Sequence, residues 1–554
     1  MTAQVITDVA IAGGGLAGLV TALELLDSGA RVLVLDRETP ENLGGLAKES
    51  FGGIFAVDTP EQRRGGIRDS VELARSDWLA GAEFTGDDGW PRRWADAYVE
   101  ECRAGIYEWL RSRGIRFLPV VNWIERGLYG PGNSVPRFHI VWGTGSELVA
   151  RVIAALERHP AAGRLELRYG HRVERLLTAG GRVIGCAGRT EDDGRPFEVH
   201  AEHTVVAGGG FGGNLEHVRR HWDPDWHRPP EVILNGSHHF ADGTLHGAAR
   251  DAGAAVTHVG RMWNYAAGVH HPRPRRPGHG LSLVPPKSAL WVNWRGERIG
   301  PEPMVHGFDT RRLVAQVCAE EKAYSWQILN RRIAVRELVV SGAEFNDAIR
   351  EKRPLAFIAT LLRGNRRLVD DLTGSCEDFV TADSLDGLAE AMNGLAGDDS
   401  VDRERLKAVV RGYDANLRRG RALRNDDQLR RIAQLRQYRG DRLRTCRSQP
   451  IEDPAAGPLL AIREFILSRK SLGGLQTDLD SRVLGAAGFP IPGLYAVGEA
   501  AGFGGGGMHG KRTLEGTFLG GCILTARHAA RAIAAGGSVA PAPPERLRTL
   551  ALRA

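Results

Sequence analysis

Nothing in this chain approaches the run of about 18 apolar residues that a bilayer-crossing helix requires. A spanning helix is therefore excluded, and stable membrane insertion is not expected. Residues 1–4 carry neither a basic region nor a cleavage site and lead straight into a strand-like run. We expect no signal peptide and a cytoplasmic protein. Cysteine is sparse: Cys102, Cys186, Cys318, Cys376, Cys446 and Cys522 are scattered with no CxxC pair, which argues for isolated thiols and against a disulfide framework or a zinc site. A strong charge of one sign is missing as well. The net formal charge is only +6 over 554 residues, so nucleic acid is not an expected partner. Between residues 401 and 447, 14 arginines face six acids, but they alternate with apolar residues at helix spacing, as on a solvated helical face. The pairs His238-His239 and His270-His271 have no carboxylates at ligand spacing, so no metal is expected. The sequon Asn235-Gly236-Ser237 has no secretion signal to accompany it.

What is present is an ordinary globular composition, 42% hydrophobic and 25% charged, in a chain of 554 residues. That length implies two or more domains. The apolar run Asp8-Val9-Ala10-Ile11-Ala12 leads into Gly13-Gly14-Gly15-Leu16-Ala17-Gly18, then a helical pattern to Asp27 and a second strand ending at Asp36. This is a GxGxxG turn set between strand and helix, with the acid that reads a ribose placed after the second strand. Gly13 allows the tight turn, Gly15 lets a pyrophosphate approach the backbone, and Gly18 lets helix and strand pack closely. The helix N-terminus stabilises the phosphate charge.

That motif does not separate FAD from NAD, but three later segments do. Gly44-Gly45-Leu46-Ala47-Lys48-Glu49-Ser50-Phe51-Gly52-Gly53 leaves room for a flat ring against the backbone. Val205-Val206-Ala207-Gly208-Gly209-Gly210 is a strand ending in glycines. Near the end, Gly493-Leu494-Tyr495-Ala496-Val497-Gly498-Glu499 runs through a glycine-rich loop to a helix beginning near Thr517. The amides at that helix start suit the anionic edge of a reduced flavin.

With these segments on the page, the chain resembles the fumarate reductase and succinate dehydrogenase flavoprotein superfamily, in its ketosteroid-dehydrogenase-like branch. The resemblance runs through Asn42-Leu43-Gly44-Gly45, Ser50-Phe51-Gly52-Gly53, Asn133-Ser134-Val135-Pro136-Arg137-Phe138-His139, Trp142-Gly143-Thr144-Gly145 and Leu472-Gly473-Gly474-Leu475-Gln476-Thr477-Asp478, to the end of residues 504–521. It implies an α/β fold: a Rossmann-like FAD-binding domain with a parallel sheet, built from two sequence segments, and an inserted α+β substrate or cap domain. We expect the first FAD segment over 1–285, the cap over 286–447, the second FAD segment over 448–536 and a loose tail over 537–554. The expected FAD contacts are Gly13, Gly15, Leu16, Ala17, Gly18, Asp36, Arg37, Gly44, Gly45, Ser50, Gly52, Gly53, Val173, Ala207, Gly208, Gly209, Asp242, Gly498, Glu499, Gly516, Thr517, Phe518 and Leu519. Leu46 stands where respiratory members carry the flavin-linking histidine, so non-covalent FAD is expected.

The resemblance also places Met508-His509-Gly510-Lys511-Arg512-Thr513-Leu514-Glu515-Gly516 over the flavin. Arg512 stands where ketosteroid dehydrogenases have a ketone-polarising tyrosine, and Thr513 where fumarate reductases have an arginine. Neither family pattern is followed. Arg512 offers fixed donors for an oxyanion or carboxylate, and His509 could shuttle a proton near neutrality. Glu515 could hold either in place. Alternatively, Arg512 and His509 only clasp the loop. His306 is the nearest proton-active residue after the turn Val292-Asn293-Trp294-Arg295-Gly296-Glu297-Arg298. Tyr129, Tyr265 and Tyr324 are further acids to weigh against simple packing.

The expected reaction is dehydrogenation or reduction of a carbon–carbon bond next to a carbonyl, on a steroid or other polycyclic ketone. The alternatives are a flavin oxidase or reductase acting on a heteroatom bond, and a non-catalytic redox sensor. The expected partners are a small-molecule substrate and an electron acceptor or donor that the sequence does not identify. Self-association is left open.

Overall fold

In the computed structural model, which describes residues 4–128 and 130–536, the strand Gln4–Ala12 lies between Val32–Leu35 and Pro196–Val206 and pairs in parallel with both. The parallel row continues to Leu165–Arg168 on one side and Pro490–Ala496 on the other. Two sequence-distant stretches thus complete one sheet, as a doubly wound dinucleotide fold requires. The strands Gln4–Ala12 and Val32–Leu35 are almost wholly apolar where they pair, because both faces are covered: helices pack on one, and the antiparallel strands His171–Ala179, Arg182–Thr190 and Pro196–Val206 on the other. Helices Leu16–Asp27 and Thr517–Ala534 pack side by side within one apolar cluster.

A second sheet, antiparallel apart from one parallel pairing, forms the cap. Its centre is Leu459–Ser471, which pairs with Met262–His270, Tyr324–Asn330, Phe379–Ala382 and Ile233–Asn235. Helices from Thr310–Cys318 to Asp427–Leu435 pack around it in a separate apolar cluster. The division read at 285/286 and 447/448 therefore cuts through this sheet. Strands Met262–His270, Gly280–Val284 and Leu459–Ser471 lie inside it. Their apolar residues suit either sheet equally, so only long-range pairing separates them. The tail over 537–554 and Tyr129 lie outside the described residues.

All six cysteines are unpaired. Asn235 of the sequon is buried in a strand, closed to a glycan. Among the described residues, no helix is long and apolar enough to cross a membrane.

Candidate active site

The first cavity, of about 1030 Å³, opens above the parallel sheet where the strand order turns outward from Gln4–Ala12. Gly13, Gly15, Leu16, Ala17, Asp36, Arg37, Gly44, Gly45, Val173, Ala207, Gly208, Gly209, Asp242 and Glu499 all line it. Gly15 caps the helix Leu16–Asp27, whose first turn holds no acid to compete with a bound anion. A Cβ added at Gly15 would meet nothing within 4 Å, whereas one at Gly13 would lie 2.5 Å from the Ala207 backbone, at a φ of +117°. Gly13 is therefore a packing necessity, and Gly15 keeps space open for a ligand. The glycine walls and the helix N-terminus fit FAD.

Gly18, Ser50, Gly52, Gly53 and Gly498 of the expected set do not line this cavity, and neither do Gly516, Thr517, Phe518 and Leu519. Gly18 presses on the Gly13 carbonyl, where a Cβ would sit at 2.0 Å. Gly52 and Gly53 give way to Thr144 and the Phe138 ring, and Gly498 to Ala17 and Cys522. Ser50 Oγ donates to the Ala47 carbonyl at 2.7 Å. Asp36 accepts the Gly14 and Glu38 amides, so its carboxylate also holds the turn it was expected to serve. Glu499 is half-buried beside Ser471, accepting its amide at 2.8 Å, and desolvation raises its pKa. His171, His238, Phe240, His246 and Cys522 also line the cavity. No local motif marks them.

The fold also supplies carboxylates to both histidine pairs. His238 and His239 stand 3.4 and 3.5 Å from Glu38, and His270 stands 2.8 Å from Asp378.

A second cavity lies between the cap and the loop that precedes helix Thr517–Ala534. Its walls are chiefly apolar, including Phe51, Phe138, Ile140, Ala266, Ala267, Leu283, Trp291, Leu313, Val339 and Leu435. The polar residues that line it include Glu515, Tyr265, Thr310, His306, Lys287 and Arg444, with Glu337 and Asp441. Glu515 Oε1 accepts from Trp263 Nε1 at 2.8 Å and from the Tyr265 hydroxyl at 2.7 Å. Lys470 Nζ stands 3.4 Å from the same hydroxyl, and burial draws its pKa down to about 8. Burial and the neighbouring Glu515 charge push the Tyr265 phenol well above its usual range. Behind this wall, Glu125 accepts Thr310 Oγ1 at 2.5 Å and the Thr310 amide at 3.1 Å. Burial, reinforced by Asp309 and Glu515, lifts its carboxyl to about 8. His306 is held down to about 3 by burial and by Lys287, and is neutral at pH 7. Arg444 has neither ion pair nor side-chain hydrogen bond among the described residues.

Arg512 and His509 sit elsewhere. Arg512 is 17% exposed and reaches Asp309 with one nitrogen and Glu83 at 3.5 Å with another. Its charge is answered by protein carboxylates, and it does not line the substrate-sized cavity. His509 is fully buried, stacked 5.7 Å from Trp78 and flanked by Phe503 and Phe518, with Nε2 2.8 Å from Thr517 Oγ1. Burial and nearby Lys470 hold its pKa to about 3, so it does not titrate near neutrality. Of the tyrosines, Tyr265 reaches the cavity and Tyr324 packs in the cap sheet.

Residues 8–519 match the FAD binding domain family. The chain is 43% identical over 550 residues to a KsdD-like steroid dehydrogenase of Mycobacterium tuberculosis, covering 95% of each chain. It is also 43% identical to one of Mycolicibacterium smegmatis, covering 92% of this chain and 96% of that one. Its fold resembles the 3-ketosteroid Δ1-dehydrogenase of Sterolibacterium denitrificans, with a TM-score of 0.67 and 19% identity over 96% of this chain and 99% of that chain. It also resembles the 3-ketosteroid-Δ4-(5α)-dehydrogenase of Rhodococcus jostii, with a TM-score of 0.62 and 22% identity over 96% and 97% of the two chains. The chain has a dinucleotide cavity closed by two sequence segments and a cap-covered apolar cavity, and it belongs to the FAD binding domain family as a KsdD-like flavin-dependent dehydrogenase.

Proposed function

We propose that the enzyme removes hydrogen across a carbon–carbon bond beside a ketone, on a steroid or comparable polycyclic substrate. The observation that carries this reading is the second cavity: a mostly apolar slot with the Glu515 carboxylate among its few polar groups. Such a slot suits a rigid hydrocarbon skeleton. The names of the relatives support the same substrate class.

Bound FAD supplies the hydride acceptor. Gly13, Gly15, Asp36, Gly44, Gly45, Ala207, Gly208 and Glu499 would hold it. Glu515 takes the proton from the carbon next to the carbonyl, with Trp263 and Tyr265 fixing its orientation. Tyr265 keeps its own proton, so it acts as a donor. His306, neutral at pH 7, offers a ring N–H to a substrate oxygen. Arg444, which makes no ion pair or side-chain hydrogen bond among the described residues, meets an oxygen elsewhere on the skeleton. Arg512 and His509 position the loop that carries Glu515. The apolar walls exclude water and strengthen these contacts. The unpaired cysteines fit a cytoplasmic setting.

Anaerobic mixing with saturated 3-ketosteroids tests the reading. Flavin absorbance should bleach and an unsaturated ketone should form. Bleaching by amines or alcohols, with none by any polycyclic ketone, would overturn it.

A further inference from the structure

The cap helix Pro354–Arg363 has no buried residue. Leu355, Ile358 and Leu362 fall on one face at helix spacing and stand 82%, 50% and 61% exposed. Large apolar side chains grouped on a surface mark a docking face. Beside the helix C-terminus lies a basin lined by seven arginines and no carboxylate, with Arg363 and Arg366 contributed by or next to the helix. Arg331 and Arg332 pair with Asp370 and Asp453 at its edge, whereas Arg363, Arg366 and Arg447 have no ion pair among the described residues.

The inner face of the same helix has a different task. Ala356, Phe357, Thr360 and Leu361 line a cavity of about 1570 Å³ beneath it, which shares Val339 and Arg444 with the apolar substrate cavity. Phe357 meets the edge of Trp142 at 5.7 Å, so the helix bridges the cap and the cofactor domain.

We propose that this face docks on an anionic lipid surface. The leucine and isoleucine stripe enters the boundary between headgroups and acyl chains while the arginines meet lipid phosphates. Charge selects this occupant. A second copy across a twofold axis would bring the same arginines to the seam, like charge against like. Docking leaves the helix between the lipid and the cavity beneath it, giving an apolar substrate a route inward. That last step rests on the proposed polycyclic substrate; the docking does not.

The test uses FAD-loaded enzyme and co-sedimentation with vesicles of phosphatidylcholine and phosphatidylglycerol in equal parts, or of phosphatidylcholine alone. The expected result is binding to the mixed vesicles, weakened about tenfold or more by high salt, by omission of the anionic lipid, and by Leu355→Asp with Leu362→Asp or Arg363→Glu with Arg366→Glu. Retained flavin absorbance confirms that the variants fold. Should a double variant lose flavin, Leu355→Asp alone is measured instead. Absence of wild-type binding, or binding unmoved by both kinds of variant, would overturn docking. So would a wild-type dimer that the helix variants convert to monomer. Turnover is not read, so failure of the steroid assignment leaves the outcome unaffected.

Discussion

Arg512, on the loop that precedes helix Thr517–Ala534, is ion-paired to Asp309 at the start of the cap helix Thr310–Cys318. The pair joins the two halves of the molecule directly behind the apolar cavity. Arg512→Met should leave Asp309 without its partner and lower stability by ~1–3 kcal/mol. Flavin reduction by substrate should slow less than about tenfold, because the side chain works through the loop. Thermal melts and single-turnover kinetics on one preparation separate these effects. A large loss of rate with an unchanged melting temperature would place Arg512 on the substrate.

Glu515→Gln keeps the shape and the acceptor for Trp263 and Tyr265 but removes the base. Flavin reduction should fall by about 10²–10⁴ while the substrate dissociation constant changes little. Stopped-flow reduction over a substrate series measures both. Tyr265→Phe should cost less, because it removes one orienting bond and no proton acceptor.

The two parts of this site were unequally legible in the sequence. Gly15 and Gly18 announce their roles because the constraint is local, whereas Gly13 is legible only through its motif, since it packs on the distant Ala207 backbone. Glu515 and Arg512 could be named as chemistry-bearing, but their roles depend on distant partners. Trp263 and Tyr265 orient the first from about 250 residues away, and Asp309 neutralises the second from 203 residues away. His509 misled for the same reason. In sequence it sits among glycines, and in space Trp78, Phe503 and Phe518 close over it. The cap boundary was equally hidden, since apolar strands carry no label for the sheet they join.

Gly15→Val should fold and fail to hold FAD. The added side chain meets no protein atom near its Cβ, but it occupies cofactor space. Flavin affinity should fall by about 10²-fold or more with circular dichroism unchanged. Gly13→Val, against the Ala207 backbone, should fail to give folded protein at all.

Glu125 holds its proton more tightly in the folded protein, at about 8, than at its ordinary 4.5. Its contribution to stability is therefore complete below pH 4.5, declines as pH rises toward 8, and is flat above that. The total is about 2–5 kcal/mol. Denaturant titrations between pH 5 and pH 9 (about the span of this group) should show wild type weakening where Glu125→Gln does not. Parallel curves for the two proteins would contradict this assignment.

Arg444→Met should raise KM for oxygenated polycycles with kcat little changed, about tenfold for the loss of one charged hydrogen bond. A substrate lacking the distal oxygen should be indifferent to the change.

The strand Leu459–Ser471 forms the middle of the cap sheet and ends at the serine that holds Glu499. Cap and cofactor pocket are thus sewn together by one continuous thread of backbone. Loosening either end should be felt at the other, so heat should release flavin and melt the cap in a single transition. A trimmed flavin domain lacking the cap would lose the thread along with the cover.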